Sequence, residues 1–201
     1  MNGPRNVLSA VLLVVSFCMV AWAAERSIDV HNSTIRIHVG KAGLFSPAGH
    51  EHWVSAPIDR GKLDDSGPSA HVAFTVQSRK LMVEPDKDLT YEKQAEVQQT
   101  MQEKVLESKN YPEISFRSSS VENTAADSWI VSGVLTLHGH SNRVSSTVRR
   151  VHDKYVGRCR IKQTDFGIEP VTVGGGLVKV KNELDIEFGG AGRKGMTLQR
   201  G

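Results

Sequence analysis

The chain has 201 residues, with 25 Lys and Arg against 22 Asp and Glu, 8 His, a net charge of +3 and 39% hydrophobic residues. A charge so small and dispersed excludes the concentrated basic surface that nucleic-acid binding requires. Of the 2 cysteines, Cys18 lies in an apolar leader and Cys159 in the body, which excludes a cysteine zinc framework and an intrachain disulfide after processing.

Residues 1–24 read as a signal peptide. Arg5 is positive, Val7 to Val20 is almost wholly apolar, and Ala21-Trp22-Ala23 is a small-x-small cleavage signature. The alternative is a membrane anchor, but the run is at the short end for crossing ~30 Å of hydrocarbon. Ser16-Phe17 before Cys18 is a poor context for lipid attachment. The expectation is an exported protein, periplasmic or secreted, with one domain over 25–188 and a flexible Gly-rich tail over 189–201.

Thr34 to Val39 alternates, with Ile35, Ile37 and Val39 on one face, and reads as a half-buried strand. Ala42 to Gly49 reads as a loop carrying Phe45, and Trp53 to Ile58 as a second strand. Asp59 to Ser69 reads as polar turns. His71 to Gln77 alternates again, with Val72, Phe74 and Val76 together, and Leu81 to Val83 is a brief strand. Then the period changes. Leu89 to Ser108 has no Gly or Pro, and Val97, Met101 and Val105 form a helical stripe. Asp86 and Asp88 suit its start. Asn110 suits a left-handed stop, and Pro112 forbids continuation. Further strands are expected at Ile114–Val121, Trp129–His138, Arg143–His152, Tyr155–Gln163 and Gly176–Phe188. Asp165-Phe166-Gly167 reads as a strand-ending turn. Cys159, between Arg158 and Arg160, reads as a passive strand residue, although those arginines would favour a thiolate if it were exposed.

A long antiparallel meander leaves open edges that closure removes. About eight strands is the count that encloses one small ligand. The expected fold class is therefore all-β with one long helix, an antiparallel eight-stranded lipocalin-like β-barrel.

The chain resembles the YceI-like family of secreted lipid- and polyisoprenoid-binding barrels. Ser27 to Ser33 resembles that family's opening strand. Leu89 to Phe116 matches its helix running into Tyr-Pro and a strand, here Tyr111-Pro112. Gly133, Leu135, Thr136 and Gly139 match its Gly-x-Leu-Thr-x-x-Gly strand, and Asp165 to Gly167 its Asp-Phe-Gly turn. Two departures stand out. Tyr91-Glu92-Lys93 replaces an Arg-Asp, and Gly49-His50-Glu51-His52 is similar to a divergent branch with Gly-His-x-His there. The resemblance implies a barrel with an apolar tunnel for an isoprenoid or other amphiphilic chain.

In such a barrel Ile35, Ile37, Val39, Val72, Phe74, Val76, Ile114, Phe116, Leu135, Leu137, Val178, Val180, Leu184 and Ile186 point inward, with Phe45 from the loop. Periodicity alone allows either a filled core or a tunnel, and the resemblance favours the tunnel. A second reading concerns His50, His52, His138 and His140. Two His-x-His pairs converging in space would suit a metal or haem, and the alternative is loop histidines with separate hydrogen bonds. No Gly-x-Ser-x-Gly, His-Glu-x-x-His or Walker motif occurs, so a non-enzymatic role is expected. The expected partner is a polyisoprenoid or amphiphilic lipid, with no protein-bound cofactor. Peripheral membrane contact and a homodimer remain open from the residues alone.

Overall fold

Period-two alternation buries one face of each strand, and in the computed structural model this alternation builds one curled antiparallel sheet. The described residues are 26–42, 51–65, 69–173 and 178–192, with 173 and 178 described by their backbone only. The leader, Phe45, His50 and residues 193–201 lie outside them.

The strands are β1 (Arg26–Ser27), β2 (Thr34–Ala42), β3 (His52–Ser55), β4 (Ile58–Asp64), β5 (His71–Gln77), β6 (Met82–Val83), β7 (Glu113–Ala125), β8 (Ser128–Leu137), β9 (His140–Val151), β10 (Lys154–Lys162), β11 (Thr172–Val173) and β12 (Val178–Gly190). Their spatial order is β1-β4-β5-β7-β8-β9-β10-β12-β2-β3-β6, with β11 on β12. Among the described residues the sheet thus has 12 strands, where eight were expected. Part of the excess comes from Ala56-Pro57, which divides the expected strand Trp53–Ile58. Proline has no N–H for a ladder. Before it, β3 pairs with β2; after it, β4 pairs with β5 at the far side of the order.

Three further expectations are corrected. Asp59 to Asp64 is strand, not turn, because pairing of Arg60 to Asp64 with β5 overrides polar composition. The opening strand stops after Ser27 and a bridge at Ile28. Asp29 then accepts from the amides of His31 (3.2 Å) and Asn32 (3.4 Å), and this side-chain turn replaces a ladder. The last strand runs to Gly190, not ending at Phe188, and Ala191 and Gly192 still bond to Asp29 and Ile28.

The helix begins as α1 (Tyr91–Thr100), capped by Thr90, whose hydroxyl accepts from the Lys93 amide at 3.3 Å. It continues as a π-turn over Met101–Val105, with the Leu106 amide donating to the Met101 carbonyl at 2.9 Å. A stripe repeating every four residues drifts around a 3.6-residue helix, and the wider turn takes up that drift. Val97, Met101 and Val105 all pack on the core. The left-handed residue after the helix is Glu107 (φ 42°), not Asn110, whose side-chain amide instead donates to Glu107 at 2.9 Å.

Gln98 anchors α1 to the edge strand. Its Oε1 accepts from the Val83 amide at 2.8 Å and its Nε2 donates to the Leu81 carbonyl at 3.0 Å. The side chain satisfies edge groups that would otherwise invite pairing. Gln98→Ala should therefore lower stability by about 1–3 kcal/mol, since it strands a partly buried donor. Urea denaturation checks this, and an unchanged midpoint would refute the clamp.

The packed core lies at the helix end of the sheet. Phe166 is 1% exposed and joins Leu81, Leu106, Leu137, Ile161 and Ile168. Asp165-Phe166-Gly167 is a turn, as expected, with Gly167 left-handed (φ 70°). The remainder of the sheet's inner face is not filled.

Candidate functional site

The unfilled inner face encloses a cavity of about 900 Å³. Its wall takes Ile35, Ile37 and Val39 from β2, and Val72, Phe74 and Val76 from β5. It takes Ile114 and Phe116 from β7, Leu135 and Leu137 from β8, and Val180, Leu184 and Ile186 from β12. Register explains the convergence: Ile37 faces Ile186, Val39 faces Leu184, and Phe74 faces Phe116 across the ladders. The two phenylalanine rings lie 5.5 Å apart. Of the residues expected here, Phe45 and the Val178 side chain fall outside those described.

Sequence reasoning left out part of the wall. Trp129, Val131, Val144, Val148, Cys159 and Ile161 also line the cavity. The alternation of Val144, Ser146 and Val148 was a usable signal, diluted by its serine. Val97 and Met101 close one side from the helix.

Cys159 faces this cavity, and burial pushes its thiol up to about 11. The thiolate that Arg158 and Arg160 would favour on an exposed residue therefore does not form at neutral pH. Iodoacetamide should label Cys159 far more slowly in the folded than in the urea-unfolded protein, as read by mass spectrometry. Equal rates would contradict an inward thiol.

The cavity has two chemically different ends. Where β2 ends and β12 begins, Lys41, Lys179 and the helix residues Lys93 and Glu96 line it. Lys93 and Glu96 are exposed and paired at 2.9 Å. At the other end lie Ser33, Asp64, Asp65, His71 and Tyr155. The Tyr155 hydroxyl donates to Asp65 at 2.6 Å, and Arg26 pairs with the same carboxylate. Burial acts to raise the Asp65 pKa, but the Tyr155 hydroxyl and the Arg26 charge outweigh it and hold it below the usual range. Burial and the Asp65 carboxylate push the Tyr155 phenol up.

The histidines divide. His52 lines the cavity, while His138 and His140 stand outside its lining. His138 and Gly139 form the two-residue hairpin loop between β8 and β9, both at positive φ (51° and 74°), as a type I′ turn demands. His138 is 8% exposed, its ring lies tilted against Tyr111 with centroids 4.2 Å apart, and its Nε2 meets Glu107 at 3.2 Å. The His140 ring is 6.5 Å away. Among the described residues no group of three or more His, Cys, Asp or Glu is placed to hold a metal.

A family model described as a YceI-like domain matches residues 27–190. Two solved structures share the fold. Burkholderia cenocepacia BcnA is 19% identical, with TM-score 0.54, covering 81% of this chain and 98% of its own. A polyisoprenoid binding domain from Saccharophagus degradans, implicated in plant cell wall breakdown, is 14% identical, with TM-score 0.56, covering 85% and 99%. No curated protein sequence matches the chain.

Proposed function

The chain belongs to the YceI-like family, and from that premise we propose that it binds a long-chain amphiphile of the polyisoprenoid class inside the sheet. The observation that carries this reading is the apolar cavity of about 900 Å³, continuous from β2 to β12 and lined by aliphatic and aromatic side chains. Buried apolar area contributes roughly 25 cal/mol per Å², so a chain lipid gains along its whole length. At ~30 Å³ per water-sized group, the cavity holds on the order of 30 non-hydrogen atoms. The polyisoprenoid binding domain that shares this fold supports the same ligand class.

In this reading β3 and β4 act as one strand bent at Ala56-Pro57. The set β2, β3–β4, β5, β7, β8, β9, β10 and β12 is then an eight-stranded barrel, closed through the bend. Residues 1–24 direct the protein to the periplasm or beyond, and loading requires peripheral contact with a membrane. The role is that of a binding protein, not an enzyme.

Native mass spectrometry of the protein purified from its own host envelope tests this. The expected result is a co-purifying mass, lost on solvent extraction and identified as an isoprenoid. A bare protein with stoichiometric metal would overturn the reading and return attention to the His-x-His pairs.

A further inference from the structure

The outer face of the sheet carries a patch that the tunnel does not use. Side chains alternate sides along a strand, so one set of positions on β7, β8 and β9 shares the outward face. Register places Arg117 of β7 opposite Val134 of β8, and Val134 opposite Arg143 of β9, in one cross-strand row. The row on one side is Ser115, Thr136 and Ser141. The row on the other is Ser120, Ser132 and Ser145, where a bulge after Ser118 brings Ser120 to the same face. The grid holds guanidinium, valine and hydroxyl side chains and no carboxylate.

Arg117 and Arg143 are exposed, and neither side chain has a hydrogen-bond or ion-pair partner among the described residues. Elsewhere on the sheet arginines are neutralised: Arg36 pairs with Glu84, Arg60 with Glu113, Arg158 with Glu187 and Arg160 with Asp185. Arg149, further along β9 on the same face, is also exposed and unpaired. Glu122, opposite Ile130, is the acidic residue that borders the patch, and the Ser120 hydroxyl donates to it at 3.3 Å. Thr136 and Ser141 share a hydrogen bond at 2.8 Å, and the Ser132 hydroxyl donates to that of Ser145 at 3.2 Å. Each such pair uses one of its two protons, so a donor and spare lone pairs remain for a partner.

We infer that this outer face docks a carboxylate-bearing polysaccharide, independently of what fills the tunnel. A guanidinium is a planar fork that matches a carboxylate with two parallel hydrogen bonds. Arg117 and Arg143 stand two strand spacings apart, ~10 Å, too far to share one carboxylate and suited to successive acid groups along one chain. The hydroxyl rows exchange hydrogen bonds with sugar hydroxyls, and Val134, 40% exposed, offers methyl groups to the C–H face of a ring. A phospholipid surface fits less well. The sheet curls around its cavity, so this face is convex, and a flat bilayer would touch it along a single strand. The grid also lacks the aromatic and long aliphatic side chains that insert at a membrane interface. A flexible polyanion follows the curve and reaches both arginines.

Biolayer interferometry against immobilised polygalacturonate and its methyl ester tests this. The ester keeps every ring hydroxyl and removes the charge. The acid form should bind roughly tenfold or more tighter than the ester, and added salt should weaken it. Arg117→Gln with Arg143→Gln should lower affinity for the acid form roughly tenfold or more. Lys104→Gln with Lys109→Gln removes the same charge at exposed positions near the helix end and should change it less than about twofold. Equal binding of acid and ester overturns the site, as do equal losses in the two double variants or absence of binding. Preferential capture by phosphatidylglycerol vesicles, lost in the arginine variant, also overturns it and assigns the face to a membrane. Should the glutamine pair misfold, Arg117→Lys with Arg143→Lys keeps both charges and loses only the forks. That variant should still lose roughly threefold or more, and an unchanged affinity would overturn the site.

Discussion

Phe74→Glu should lower affinity for a C20 isoprenoid alcohol by about 100-fold or more, roughly 2.7 kcal/mol or above. Phe74 lines the cavity midway along β5, with its ring tilted against that of Phe116 at 5.5 Å between centroids. In the empty protein a carboxylate there can be hydrated by cavity water, so the fold survives. A lipid chain displaces that water and leaves the charge unsolvated, a penalty of several kcal/mol. The effect therefore falls on binding more than on stability. Isothermal titration with geranylgeraniol, beside a near-ultraviolet dichroism spectrum, separates the two. Phe74→Leu, which keeps the wall apolar, should lose less than tenfold. An unchanged affinity in Phe74→Glu would mean that the ligand lies elsewhere.

Gly133→Ala should destabilise the fold by about 2–3 kcal/mol, the cost of overpacking a rigid site. A Cβ at Gly133 would stand 2.4 Å from the Arg117 carbonyl oxygen and 2.6 Å from Phe116 Cζ. The carbonyl belongs to the β7–β8 ladder and cannot retreat without breaking it. The ring is backed by Phe74. At roughly 2–4 °C per kcal/mol for a domain of this size, the melting temperature should fall by about 5–10 °C. Gly189→Ala supplies the control, because its nearest neighbour is Val156 Cγ1 at 3.6 Å. That substitution should be neutral or stabilising by up to about 1 kcal/mol, since alanine has less unfolded freedom to lose. Similar losses at both sites would show that the Phe116 contact does not matter.

These two sites were legible to different degrees. Phe74 stood out because Val72, Phe74 and Val76 alternate in seven residues that pair along their length. Gly133 stood out only as part of a family-like pattern. Its reason, a ring from the neighbouring strand lying where a side chain would go, belongs to a contact between β7 and β8. The polar end of the cavity was missed for the same kind of reason. Asp64 fell in a stretch that reads as polar turns, and Tyr155 approaches Asp65 across 90 positions of chain. No local pattern can announce such a meeting.

What the amino-acid order decided by itself is the repertoire of elements and the chemistry of their faces. Alternation set the long strands and their apolar sides, and the four-residue stripe with Pro112 beyond it set the helix, because both patterns act within a few residues. Tertiary structure alone decided how those faces met. The bend at Ala56-Pro57, the pairing that turns Asp59 to Asp64 into strand, and the separation of His52 from His138 and His140 all depend on distant partners. So does the difference between a filled core and a hollow one. Alternation says which side chains face inward, but the sheet's curvature and register decide whether they reach one another, and here Phe166 and its neighbours fill one end while the rest stays open.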